Sequence, residues 1–156
     1  MAKAELVLWK DKAFPAESVA KIEAMIESTE VDRKQLDSLD DEVAGRVETP
    51  DQDTVKRWSR VASGLGNKLR KLYTRLEATV RNAEATRCTE ILFECERDGV
   101  DYKDGAAKMS ASAYVCEIRK ARNLLQGYVE SADIIMSTCR IHNGQGEKDR
   151  TSDVSQ

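Results

Sequence analysis

Along most of this chain the apolar positions recur every three or four residues, the period of one face of an α-helix. Leu6-Val7-Leu8-Trp9 opens the pattern as a short apolar cluster compatible with either a strand or part of a helix. Pro15 stands at a helix N1 position, and Val19, Ile22, Met25 and Ile26 predict a helix reaching about Ser28. Leu36, Leu39, Val43 and Val47 predict a second helix, with Asp37, Asp40, Asp41 and Glu42 on its acidic outer face. Gly45 weakens its last turn.

Thr49-Pro50-Asp51-Gln52 reads as a helix start, with Thr49 as cap, Pro50 at N1 where its missing N–H is harmless, and Gln52 completing a capping box. The helix that follows is heptad-like. Val55, Trp58, Ala62, Leu65, Leu69, Leu72 and Leu76 form its seam, and Thr79, Ala83 and Thr86 continue it more weakly. Gly64 and Gly66 interrupt the pattern and are compatible with a kink, a break or a close helix crossing.

Arg97-Asp98-Gly99 and Asp104-Gly105 bracket a polar loop containing Tyr102. Asp98, Asp101 and Asp104 are spaced by three, and Ser110 stands where an EF-hand needs its last acidic ligand, so a linker with Asp104 or Ser110 as N-cap is expected. From about Ala106 or Ala111 to Ile141 another long helix is predicted. Its seam is Tyr114, Ile118, Ala121, Leu125, Tyr128, Ala132, Ile135 and Cys139, widened by Val115, Val129 and Met136. So wide a stripe predicts burial against more than one neighbour, with oligomerisation helping to cover it. The polar, glycine-containing residues 143–156 are expected to form a disordered tail.

The fold class expected is therefore all-α: an elongated helical bundle with short helices at the N-terminus and two long antiparallel helices in the C-terminal two-thirds. It is expected as a single helical domain over 1–142, with an acidic part (1–48), a basic long helix (49–97) and a C-terminal long helix (106–142). A chain of 156 residues can bury such a core without disulfides or metal. Aromatic residues make up only 5 % and charged residues 34 %, which suits long exposed helices better than a β-sandwich. Met1–Lys12 has no sustained apolar run of the signal-peptide kind, and no stretch approaches the roughly 20 residues of a membrane span, so a cytoplasmic protein is expected.

Charge changes the picture. The net charge is −3, yet Lys56 to Arg87 holds nine basic residues against two acids, Glu77 and Glu84. Residues 1–54 hold seven basic and fourteen acidic residues, so one stretch offers itself to a polyanion and another to something else. On the heptad register none of the nine cations falls on the seam. Six of the nine are arginines, Arg57, Arg60, Arg70, Arg75, Arg81 and Arg87, and arginine's bidentate geometry favours phosphate. Trp58 sits on the seam and leaves Tyr73 as the one ring near the cations, so base-stacking platforms are not expected. Contact with nucleic acid should therefore run through backbone phosphates, with weak sequence dependence and steep salt dependence.

No catalytic set emerges. Gly64-x-Gly66 lies inside a helical pattern rather than after a strand, and His142 is the only histidine. Cys88, Cys95, Cys116 and Cys139 are too far apart for a metal cluster and read as small core residues in a reducing compartment. No enzyme activity, metal or cofactor is expected.

Arg75-Leu76-Glu77-Ala78, then Arg81 and Arg87, then a loop with Gly99 and Tyr102, resembles the central segment of the UvsY-like recombination mediators of T-even-type phages. Lys108-Met109-Ser110, opening a long helix that ends Cys139-Arg140-Ile141-His142, is similar to that family's terminal helix. The resemblance covers about residues 68–142. It implies a small helical homo-oligomer that binds single-stranded DNA through basic helix residues, with Arg75, Arg81 and Arg87 at matching positions. It also implies a recombinase and a single-strand-binding protein as partners. The basic side itself adds Lys68, Arg70 and Lys71 as expected phosphate contacts. A structural or adaptor bundle, whose opposite charges neutralise each other in protein contacts, is the competing expectation.

Overall fold

The computed structural model describes Trp9, Lys10 and residues 12–153, with side chains through Gly144. Leu6 to Leu8 of the N-terminal apolar cluster and residues 154–156 of the tail lie outside the described residues. Among those described the chain is all-α, with α1 (Ala16–Glu27), α2 (Glu30–Ala44), α3 (Gln52–Arg97), α4 (Asp104–Tyr114) and α5 (Cys116–Asp153). Contacts divide it into two compact units. The first combines Thr74–Asn123 with the described part of Met1–Ile26, and the second combines Glu27–Tyr73 with the described part of Leu124–Gln156.

α3 starts two residues later than its sequence signal. Asp51, not Thr49, caps it, its carboxylate accepting the Thr54 backbone N–H at 2.6 Å. That bond holds the Asp51 carboxyl below the usual carboxylate range. The other end closes at Gly99, whose φ of 68° is the left-handed conformation a C′ residue needs. There the Val100 N–H reaches the Cys95 carbonyl and the Gly99 N–H reaches the Glu96 carbonyl, the two bonds of a Schellman motif. Val47, expected on the α2 seam, lies past the end of that helix and is 98 % exposed.

In the second unit α2 buries Leu36, Leu39 and Val43, α3 buries Val55, Trp58, Ala62 and Leu69, and α5 buries Leu125, Ala132, Ile135 and Cys139. The wide stripe of α5 is thus occupied within the chain. Ser59 meets Met136 and Gly66 meets Ala132, so rising numbers on α3 oppose falling numbers on α5 and the two helices run antiparallel. α3 passes unbroken through both glycines, and of the three compatible outcomes the structure takes the close crossing. A Cβ on Gly66 would lie 2.8 Å from the Ala132 Cβ, whereas one on Gly64 would meet nothing within 4 Å.

In the first unit Ile91 and Cys95 of α3 pack with Ala107 and Ala111 of α4, and Val80 packs with Val115 and Ile118. The C-terminal helix predicted as one piece is interrupted at Val115. No glycine or proline marks the interruption. Val115 is fully buried at the junction, where α4 serves one apolar cluster and the start of α5 serves the other. Ser110 is not a cap. It is buried within α4, accepts the Trp9 backbone N–H at 3.2 Å and shares a hydrogen bond with the Tyr102 hydroxyl at 3.0 Å. The backbone of α5 stays helical to Asp153, through residues expected to be disordered; no proline there stops the ladder.

The two glycines should respond oppositely to alanine. Gly64→Ala is expected to stabilise by about 0.5–1 kcal/mol through helix propensity. Gly66→Ala should destabilise by up to about 2 kcal/mol, because overpacking outweighs the same propensity gain. Urea denaturation of both variants checks the contrast.

Candidate nucleic-acid interface

All nine basic residues between Lys56 and Arg87 lie in α3, eight exposed and one buried. In the second unit the acidic face of α2 is turned partly onto them. Lys68 Nζ lies 2.5 Å from Asp32, a carboxylate only 14 % exposed. Arg57 bonds Glu42, which also accepts the Trp58 indole N–H at 2.9 Å. The Arg57 guanidinium, and after it the indole, hold the Glu42 carboxyl below the usual glutamate range. Arg70 pairs with Asp133 of α5 at 2.6 Å, and Lys56 lies 3.6 Å from Asp53. Arg60 and Lys71 are exposed and make no ion pair among the described residues.

In the first unit Arg75 is likewise exposed without an ion pair among the described residues. Arg81 is 76 % exposed and bonded one turn back to Glu77 at 2.7 Å. Arg87 differs from the rest. It is 3 % exposed, with Nη1 at 3.1 Å from Glu90 and 3.5 Å from Glu94, and its guanidinium stands 5.9 Å from the centre of the Tyr114 ring. The expectation that Arg87 contacts phosphate is therefore corrected: its charge is neutralised inside the fold.

The reason lies in the helix period. A heptad seam drifts by about 20° per repeat against a straight helix, so the four repeats from Trp58 to Thr86 accumulate roughly 80°, almost one residue. The stripe actually buried continues through Val80, Arg87, Ile91 and Cys95, while Thr79 and Thr86 are exposed.

Arg87 also belongs to a clasp that holds the N-terminal segment. Glu94 accepts the Trp9 indole N–H at 2.8 Å, Lys12 reaches Glu90 at 3.3 Å, and Lys10 reaches Asp98 at 3.0 Å. The Trp9 and Tyr102 rings stand 5.4 Å apart, and those of Phe14 and Tyr114 5.2 Å apart. The Arg87 and Lys12 bonds lower the Glu90 carboxyl, and the Trp9 bond, followed by the Arg87 charge, lowers Glu94.

Trp58 is buried and Tyr73 half-buried, so the cations have no fully exposed ring among them. Cys95 and Cys139 are core thiols, pushed up in pKa by burial, and Cys88 is half-buried. Cys116 is exposed at the start of α5, against expectation. Charge counting along the sequence passes over Arg140, a lone cation in a mixed stretch; the antiparallel pairing of α3 and α5 makes it line the same surface notch as Arg70. Among the described residues no helix is long and apolar enough to cross a membrane. Neither family models, nor curated proteins, nor solved structures yield a match to the chain.

Two outcomes follow from the clasp. Arg87→Ala removes the buried counter-charge of Glu90 and Glu94, leaving them Lys12 and the Trp9 indole, and should destabilise by about 2–3 kcal/mol, less than for a fully buried pair because both glutamates keep water. The lowered carboxyls contribute stability above the ordinary glutamate range, which is lost as pH falls through their folded values. Trp9 emission should accordingly shift to the red on acidification below that range, and the Arg87→Ala protein should show the shift already at neutral pH.

Proposed function

We propose that this protein is a non-catalytic single-stranded DNA-binding protein that acts as a recombination mediator, helping to load a recombinase. One observation carries the binding part. On α3 of the second unit, Arg60 and Lys71 present unmatched positive charge to solvent beside Lys68, which is 61 % exposed, and Arg70, which is 48 % exposed. Arg75 and Arg81 of the first unit are exposed as well.

The existing ion pairs of Lys68, Arg70 and Arg81 do not remove these residues from the reading. Surface pairs contribute about 0–1 kcal/mol each, so a strand carrying one charge per phosphate can displace the carboxylates. The α2 carboxylates then act as internal competitors that weaken non-specific attachment. With no exposed ring among the cations, recognition runs through the sugar–phosphate backbone and tolerates any base sequence. The mediator role, and a recombinase and a single-strand-binding protein as partners, rest on the resemblance of residues 68–142. Self-association is favoured by Ile134 and Ile141, 64 % and 62 % exposed and seven residues apart on α5.

A structural or adaptor bundle is the second reading, favoured by the Lys68–Asp32 and Arg57–Glu42 pairs, which already turn opposite charges on each other.

Fluorescence anisotropy with a labelled single-stranded oligonucleotide separates the two. Three to five phosphate contacts give a salt exponent of roughly −2 to −3.5, hence an affinity loss of roughly 20- to 100-fold between about 50 and about 200 mM salt. Joint reversal of Arg60→Glu and Lys71→Glu should weaken binding at least about tenfold. Absence of oligonucleotide binding at low salt, or indifference to that double reversal, favours the adaptor.

A further inference from the structure

In the second unit α3 and α5 enclose a surface notch of about 280 Å³. Ser63, Asn67 and Arg70 line it from α3, and Asp133, Ser137 and Arg140 from α5. It lies at the close crossing of Gly66 and Ala132, where small residues leave room that larger side chains would fill. Two guanidiniums against one carboxylate leave the notch with a net positive charge. The hydroxyls of Ser63 and Ser137 and the Asn67 carboxamide add neutral donors. Such a lining suits a compact anion with several acceptor oxygens and offers little to an apolar ligand.

We propose that this notch seats one backbone phosphodiester of a bound nucleic-acid strand, gripped by Arg70 and Arg140 and hydrogen-bonded by Ser63 and Ser137. The inference rests on the nucleic-acid reading above and deepens it, because it adds α5 to an interface otherwise confined to α3. Arg60 lies three residues before Ser63 and Lys71 four residues after Asn67, spacings that place exposed cations one turn away along α3. Neighbouring phosphates of the same strand therefore meet positive charge on either side of the notch.

Arg70 can make this contact by exchange: its pair with Asp133 is solvent-exposed on both sides, and surface pairs of this kind contribute only about 0–1 kcal/mol. Asp133 then has two opposing effects: it orients Arg70 toward the notch, and it repels an incoming phosphate. Arg140 is exposed and has no ion pair among the described residues, so it is free to turn inward.

The test is a titration of the full chain with a labelled single-stranded oligonucleotide, comparing the native protein with Arg140→Glu and Asp133→Asn. Arg140→Glu is expected to weaken binding about fivefold or more and to flatten the salt exponent by about 0.7, the value of one single-strand phosphate contact. Asp133→Asn should tighten binding severalfold. Melting temperatures of both variants should match the native protein, since both side chains are exposed, which separates lost contact from lost fold. Inorganic phosphate at matched ionic strength should compete no better than chloride, because an isolated anion misses the flanking cations. If the native protein binds while both variants bind identically to it, the notch assignment is overturned and the wider reading stands. If the native protein does not bind at low salt, both fall. Specific competition by inorganic phosphate, with Arg140→Glu harmless to oligonucleotide affinity, would make the notch a free-anion site and likewise overturn the assignment.

Discussion

The period of α3 is the constraint on which the other features depend. A straight α-helix repeats every 3.6 residues, and over 46 residues even a small mismatch with the apolar pattern decides which side chains are buried. Where the pattern is heptad-like, from Val55 to Leu69, the seam and the buried stripe coincide and the cations stay outside. Further on they part by one residue, and a charged side chain enters the core. The same geometric fact thus keeps Arg60 and Lys71 in solvent and takes Arg87 out of it.

An interior arginine is tolerable only with partners, and Arg87 has them in Glu90, Glu94 and the face of Tyr114. Those glutamates are not passive counter-charges. They also bond Lys12 and the Trp9 indole, so the cation's neutralisation and the seating of the N-terminal segment are one network. The first unit thus commits Arg87, Glu90 and Glu94 to holding itself together, while Arg75 and Arg81 stay exposed.

In the second unit the logic is different. The carboxylates of α2 meet the basic helix at its edges, through Asp32 and Glu42, and the middle of the basic face is left open. A chain with opposite charges in separate segments can satisfy them internally or present them outward, and here the division runs within one helix. Pairs at the rim are weak enough to exchange for phosphate, while the buried indole of Trp58, bonded to Glu42, fixes where that rim lies. The close crossing at Gly66 adds a concave, donor-rich recess beside the convex basic face, which a single helix could not supply.

The apolar spacing by itself determined the all-helical class and the seams of α2 as far as Val43, of α3 as far as Leu76 and of α5, and the residue order showed the excess of positive charge on α3, because these depend on residues near one another in sequence. Leu36, Leu39, Trp58, Leu69, Leu125 and Ile135 are buried as their spacing predicts. What escaped it has a common cause. Asp51 replaced Thr49 as cap through a contact geometry of one turn, Val115 divided a helix without any local breaker, and Arg87 was drawn inside by a drift that no short window reveals. Which cations remain free was likewise undecidable from the linear order, since Asp32, Glu42 and Asp133 reach α3 only once α2 and α5 have packed beside it. Arg140 lines one notch with Arg70 for the same reason: residues seventy apart in the chain come to border a common recess only through antiparallel helix packing.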